Sequence, residues 1–493
     1  MLNLPLLFTL ISTILLLYRY VIYPAFVSPL SKIPAAHFTA PVSSVWIRSK
    51  RRNGKTGIQS IFAAHKRLGP IVQLSPNELS VASLDGLRQI YTGAFEKTAW
   101  YSELANLGVP NLVSMLKNKP HSVRKRMLSH IYSRSYIGSS IDLHDLSRVL
   151  IVERLLPVLQ KAAESAEPFD AYSLNQALGA DFMTSYLFGI GNSTDFIRNV
   201  EARKETMQNY RTKTRGLPGK EKASRELDAL ILSLCESAGT SSQKALSGAS
   251  SYPVVYSQLS ARLSNSESPL PNHINLAVAS EMIDHFGAGI ESARITLTYI
   301  QWELSRDSEL QAQLRSELLT IQPLLSLRSE ANLPNYGDID GLPLLEAIVK
   351  EIIRVYPPSP ALLPRVTPRG GAVIEGYTIP GGIEVGASAH CMHRNPSVFP
   401  SPSTFDPFRW LDKDEEKRRE MDRWWWGFGS GARMCLGSHF ATYMLKVLIL
   451  AIYSKFQTEI VDDEGIEQED TFLAGPKGEK LVLTLRKVEA VKE

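Results

Sequence analysis

A chain of 493 residues has room for two or three average domains or for one large enzyme domain. Its apolar share of 44% and charged share of 21% are those of an ordinary globular protein, and a net charge of +4 over this length is too dilute to argue for nucleic acid as a partner. Cys235, Cys391 and Cys435 form an odd set with no C-x-x-C spacing, so neither a disulfide framework nor a zinc site is suggested and reducing surroundings fit best.

The N-terminus, "MLNLPLLFTLISTILLLYRYVIYPAFVSP", is apolar from Leu4 to Leu17, and apolar and aromatic residues resume after Arg19 as far as Phe26. That is near the roughly 20 residues that span a bilayer. A cleaved signal peptide wants positive charge ahead of the apolar run, whereas Arg19, Lys32, Arg48, Lys50, Arg51, Arg52 and Lys55 all follow it. Residues 1–26 are therefore expected to be a single membrane anchor with the body of the protein on the cytoplasmic side. A signal peptide and a buried N-terminal helix are the alternatives. The proline-rich stretch "YPAFVSPLSKIPAAHFTAP" comes next, and residues 27–45 are expected to form a stiff hinge before a domain at 46–493.

Along that domain, "GPIVQLSPNELSVAS" alternates apolar residues between Gly and Pro signals and predicts two short strands. From about 100 to 350 the periodicity is helical, with a Ser-rich loop expected at 237–251. Residues 366–393 return to short strands with Gly and Pro turns, and "KLVLTLRKV" predicts a last strand. No internal repeat is visible. This order predicts one large, mainly α domain with a small β region.

Residues 423–437 read "RWWWGFGSGARMCLG". Gly427, Gly429 and Ala432 satisfy the spacing of a dinucleotide-binding turn, but that turn needs a buried strand before it and an acidic residue about 20 positions later. Here the lead-in is the charged run "LDKDEEKRREMD", and the first acidic residue after the loop is Glu459. Taken instead as a thiolate, Cys435 sits near the start of the apolar segment "LGSHFATYMLKVLILAIY", where a helix dipole and free N–H groups favour a negative sulfur. Gly429, Gly431 and Gly437 let backbone and a flat ligand approach closely. A lone thiolate with N–H donors and an adjacent arginine suits haem iron, Arg433 pairing with a propionate; an inert buried cysteine is the bland alternative.

"FGSGARMCLG" resembles the haem-binding loop of the cytochrome P450 family at Phe428, Gly431, Arg433, Cys435 and Gly437. The resemblance implies the cytochrome P450 fold and makes Cys435 the axial ligand of haem b. It also implies a Glu-x-x-Arg pair on an upstream helix, supplied by Glu351 and Arg354, with Arg409 of "FPSPSTFDPFRW" as the third member of a structural triad. Taken alone, Glu351 and Arg354 would read as a surface ion pair at i, i+3. On the oxygen side the family's long helix carries a glycine and an acid–alcohol pair that delivers protons to bound dioxygen, matched here by Ala288, Gly289, Glu291 and Ser292. Serine stands where many members have threonine, and Ala293 follows where many have a second hydroxyl, so the implied relay is working but leaky. In "HSVRKRMLSHIYS", His121 takes the place of an aromatic propionate partner and Lys125 that of an arginine, with Arg124 adjacent; a solvated charged face is the alternative. The resemblance assigns no catalytic role to Trp424, Trp425 or Trp426, and "DEEKRREMDR" reads most simply as a solvated segment.

By the same resemblance the substrate pocket is lined by Phe286 and Ala288, by Ala361, Leu362 and Leu363, and by Phe472 and Leu473. All are apolar, so a hydrophobic small-molecule substrate is expected. The chain is thus expected to be a monooxygenase of the endoplasmic reticulum membrane, fungal microsomal in type, that tailors terpenoid, alkaloid or polyketide natural products. Its electrons would come from an NADPH–cytochrome P450 reductase, with cytochrome b5 as an optional second donor. Two rivals stand beside this reading: a haem-thiolate isomerase, dehydratase or peroxygenase that needs no reductase, and a haem- or ligand-binding membrane protein without turnover.

Overall fold

A computed structural model describes residues 4–52, 56–93, 95–245, 252–264, 276–326 and 332–488. Helix α1, Leu4–Leu17, continues in wider turns through Pro24 to Val27, so proline does not end it there. The combined span Leu4–Val27 is 24 residues long, has a mean hydropathy of 1.8 and is not buried against the rest of the chain. That excludes the buried-helix alternative; by length and composition an anchor and a signal sequence fit it equally. Residues 29–42 lie on the body of the protein, with Leu30, Ile33, Ala36 and Ala40 buried and Ala36 N–H donating to the Gln73 carbonyl at 2.9 Å.

The rest is mainly helical with small sheets. The expected hairpin forms from β1, Ile71–Ser75, and β2, Glu78–Val81, which pair antiparallel. It grows into a five-stranded sheet in the order β1-β2-β5-β4-β3, where β3 is Glu96–Lys97, β4 is Arg365–Val366 and β5 is Glu384–Ala387. Strand β5 runs parallel to β2, so segments some 300 residues apart in sequence become neighbours. The last strand, Val482–Lys487, pairs with Phe456–Asp462 and Phe169–Asp170 in a three-stranded sheet.

Five helices place the site. They are α2, Asn118–Leu128; α3, Ala171–Phe188; α4, Leu276–Ser305; α5, Pro343–Val355; and α6, Ser438–Tyr453. Helix α3 is buried on nearly every face, as its apolar composition without a polar stripe requires. It packs on α4 through glycines. A Cβ on Gly179 would stand 3.2 Å from Ile290 Cα, and one on Gly289 would strike the Met183 side chain. Gly179 therefore lets the two backbones approach, and Gly289, expected as part of the family's glycine motif, leaves room for the Met183 side chain.

The Ser-rich loop expected at 237–251 is corrected over most of its length. A helix spanning Lys220–Ala245 runs through it, with Ala238 buried and Gly239 set against Tyr256; residues 246–251 lie outside the described ones. Packing there overrides the weak helix propensity of serine and glycine.

Substituting Gly179→Leu should force α3 away from Ile290 and cost about 1–3 kcal/mol. A thermal shift assay should show a lower melting temperature, and an unchanged one would contradict the close approach.

Candidate haem-thiolate site

Glu351 and Arg354 lie on α5 one turn apart, and both are fully buried. Arg354 grips the carboxylate bidentately at 2.8 Å on each oxygen, and Arg409 Nε donates to Oε1 at 2.9 Å. Trp410 Nε1 donates to Oε2 at 2.8 Å and the Asp406 backbone N–H to Oε1 at 3.1 Å. Arg354 also ties down carbonyls of His393, Pro402 and Thr404. All the lone pairs of a buried carboxylate are used, which is the condition for burying it without a large desolvation cost.

From this cluster a relay of contacts reaches the cysteine loop. The Trp426 backbone N–H donates to His393 Nε2 at 2.8 Å, so Nδ1 carries the proton and donates to the Arg354 carbonyl at 3.1 Å. Burial, with Arg354 and Arg394 nearby, pushes His393 down to about 3 and keeps it neutral. Trp426 is buried and bonds Ser430 through its indole, Trp425 bonds the Lys350 carbonyl, and Trp424 bonds Glu420. The tryptophans thus brace the loop against α5 and its neighbours. The charged run before them forms an exposed helix, Glu415–Trp424, with Arg419 paired to Glu415 and Arg423 to Glu420.

In the loop, Gly431 has φ +68° and lies so close to Tyr91 that any Cβ would strike its carbonyl. Cys435 N–H donates to the Phe428 carbonyl at 2.9 Å, which folds the loop back on itself. Helix α6 starts three residues later with Gly437 as its N-cap. The sulfur is accessible although protein encloses it on every side, as on the wall of an internal space. That enclosure pushes the thiol pKa up, and the Gly437 N–H and the Lys125 ammonium pull it down. By contrast, burial pushes Cys235 and Cys391 up to about 12 and leaves them inert.

The basic residues divide into two groups. Lys125 on α2 clamps the loop by donating to the carbonyls of Ala432 at 3.0 Å and Met434 at 2.8 Å. Arg124 turns the other way and pairs with buried Glu281 on α4 at 2.8 Å. Arg433 bonds the carbonyls of Met115 and Leu116. It also shares a field with His121, Lys97 of β3 and Arg365 of β4, the last two absent from the sequence expectation. Burial and these neighbouring cations push Lys97 down to about 7, His121 to about 3 and Arg433 to about 10. Buried cations that repel one another in this way form a cradle for anions.

Across α4 the accessible residues make a stripe. Ala288 is exposed and Ser292 half-buried in mid-helix, while Phe286, Ile290, Glu291 and Ala293 around them are buried. Ser292 Oγ donates to the Ala288 carbonyl at 2.8 Å. Glu291 pairs with Arg294, whose guanidinium lies 4.5 Å over the Tyr172 ring. Burial raises the Glu291 pKa and Arg294 opposes the shift. Of the expected pocket residues, Ala361 and Leu363 are half-buried, Leu473 is exposed, and Phe472 packs edge-on against Trp100. Phe286 belongs to the main core, and Leu362 packs in a smaller cluster that includes Ile47, Ile61 and Leu74.

An accessible thiol within the fold, a cationic cradle and an open helix face are what a flat, dianionic, iron-bearing ring requires, so the residues present fit haem. The comparisons agree. The sequence model of the family described as cytochrome P450 matches residues 55–483. The chain belongs to the cytochrome P450 family. It is 29% identical over 402 residues to the cytochrome P450 monooxygenase avaI of Aspergillus versicolor, covering 78% of this chain and 94% of that protein. To the monooxygenase orf2 of Aspergillus niger it is 25% identical over 94% of each chain, and to gsfF of Penicillium aethiopicum 25% identical over 95% of this chain and 96% of the other. As a P450 monooxygenase the protein is an oxidoreductase, and the mainly helical fold with small sheets is that of the family.

Glu351→Gln leaves the buried arginines short of their anion and should cost about 3–5 kcal/mol, seen as a chain that fails to incorporate haem. His393 carries a pH dependence. An unfolded histidine takes up a proton near pH 6.5, whereas the folded one refuses it until about pH 3. Its contribution to stability is therefore complete above pH 6.5 and lost as pH falls toward 3. His393→Gln keeps a donor and an acceptor but cannot titrate, so stability against pH in that window should become shallower by up to about 1.36 kcal/mol per pH unit. An unchanged slope would show that His393 is protonated in the folded protein.

Proposed function

We propose that this P450 monooxygenase is anchored to the endoplasmic reticulum by Leu4–Val27, with its body in the cytoplasm, and inserts one oxygen atom from dioxygen into a hydrophobic small molecule. The step is a tailoring reaction in fungal secondary metabolism on a terpenoid, alkaloid or polyketide scaffold. Electrons come from NADPH through a cytochrome P450 reductase, with cytochrome b5 as a second donor. The observation that carries the reading is Cys435, accessible within the fold and held by Phe428, Gly437 and Lys125 in a glycine loop. The similarity to fungal monooxygenases over most of the chain supports it.

In this reading Cys435 Sγ would hold the iron, and Gly437 N–H with the Lys125 ammonium would stabilise its negative charge. His121, Arg365, Arg433 and Lys97 would hold the propionates. Haem b bound here would supply oxygen activation, which a thiolate sulfur favours. Glu291 holds a proton more readily than an exposed carboxyl because burial opposes its charge. Arg215 and Glu479, which pair with each other at the surface, lie within electrostatic reach of it and connect it to solvent. Ser292 passes the proton inward when its hydroxyl turns from the Ala288 carbonyl toward the open side of α4. Ala288, Ala361, Leu363, Phe472 and Leu473 present apolar surface that excludes water, with Phe286 and Leu362 as support behind them.

The carbon monoxide difference spectrum of the reduced, membrane-expressed chain should show a red-shifted Soret band that Cys435→Ser abolishes. The same band in the variant would remove Cys435 as the ligand. With a reductase present, Ser292→Ala should release several times more hydrogen peroxide per NADPH consumed. Unchanged coupling would remove Ser292 from the proton path.

A further inference from the structure

Helix α4 carries one carboxyl that neither the proposed oxygen chemistry nor an ion pair among the described residues takes up. Asp284, Ala288 and Ser292 stand at i, i+4 and i+8 and so share one face of the helix. All three are accessible, while Met282, His285, Phe286, Ile290 and Glu291 beside them are buried. Asp284 therefore opens into the same interior stripe as Ser292, two helical turns away. Its place in the site is fixed from two sides: Lys97 of the cationic cradle and Tyr132, which also feels Cys435, both lie within its field.

The other acids of α4 are committed. Glu281 accepts from Arg124 at 2.8 Å and from the Leu112 N–H at 3.2 Å. Glu291 holds Arg294, and Glu303 holds Arg306 and the Tyr356 hydroxyl. Among the described residues no salt bridge reaches Asp284; Lys97 gives its ammonium to the Val113 carbonyl and lies 4.4 Å over the Tyr101 ring. The Val113 N–H is the donor that faces the Asp284 carboxyl.

We propose that Asp284 is the polar anchor of the substrate pocket and selects, among hydrophobic molecules that fit it, those carrying a cationic nitrogen. This rests on the monooxygenase reading and deepens it by favouring amine-bearing scaffolds such as alkaloids. A carboxylate enclosed with Glu281 and no paired cation is costly as an anion: burial first, then Glu281, push Asp284 up to about 8 against the pull of Lys97 and the Val113 N–H. A cationic ligand group entering the stripe restores the missing partner and gains a short-range ion pair in a poorly solvated place. An anionic group offers no such pairing and leaves the carboxyl protonated, so it gains nothing there. The rise of 1.5 Å per residue separates Asp284 from Ser292 by about 12 Å along the axis, so a nitrogen held at Asp284 presents carbons about that far away to the oxygen side of the site.

The test uses the full-length, haem-loaded chain in membranes and three probes of one chain length: dodecyltrimethylammonium, dodecanol and dodecanoate. The ammonium has no lone pair with which to ligate iron, and binding is read as the shift of the Soret band on titration. The wild type should bind the ammonium more tightly than dodecanoate. Asp284→Asn should weaken ammonium binding about tenfold and dodecanol binding by less than about twofold, and Asp284→Glu should restore the preference. A merely structural carboxyl would not move that ratio. Equal binding of cation and anion by the wild type overturns the proposal even if the variants fail to fold. An unchanged ratio in Asp284→Asn, with the red-shifted carbon monoxide band intact, overturns it and leaves the monooxygenase reading standing. Absence of that band from the wild type overturns both.

Discussion

The structure depends on one buried carboxylate. Glu351 collects hydrogen bonds from Arg354, Arg409, the Trp410 indole and the Asp406 backbone, and each donor comes from chain that must already be in place. Such a cluster adds little net stability, because desolvating a carboxylate and two guanidinium groups offsets most of their attraction. What it gives is position. Arg354 reaches His393, His393 reaches Trp426, and Trp426 opens the loop that ends in Cys435, so the thiol is set by a chain of directional contacts and not by apolar packing alone.

The charges around the site follow from the same economy. Neighbouring cations at Lys97, Arg365 and Arg433, with neutral His121 among them, are tolerable only if anions will lie there. Lys125, which might have joined them, is turned to the carbonyls of the cysteine loop, and Arg124 is absorbed by Glu281. On α4 one face is committed to packing and to ion pairs, whereas Asp284, Ala288 and Ser292 are left open. The division between the two faces separates Glu291, whose burial opposes its charge and which looks toward Tyr172 and the surface pair Arg215–Glu479, from the open residues Asp284, Ala288 and Ser292.

Much of this was legible in the chain because local spacing carries it. Glu351 and Arg354 stand one helical turn apart in an amphipathic segment, and the glycines around Cys435 mark a loop whose backbone must bend tightly. The hairpin at 71–81 shows in its alternation and turn residues. The Ser-rich stretch misled because propensity is a weak prior, and burial of Ala238 with the seat of Gly239 on Tyr256 outweighed it. His393, Trp410, Lys97 and Arg365 left no signal, since nothing local distinguishes a histidine or tryptophan that will bond a distant backbone group from one that will not.

The sequence by itself determined the family, the thiol and its loop, the acid–arginine pair and an apolar span at the N-terminus, because each is written in contiguous residues with fixed spacing. Only the tertiary structure decided which partners the charges took. Arg124 met Glu281 from 157 positions away, Arg365 entered the cradle through strand pairing, and Asp284 has no ion pair among the described residues while its neighbours on the same helix found theirs. Electrostatic interaction depends on distance and solvation in space, and folding brings together groups whose separation along the chain holds no record of either.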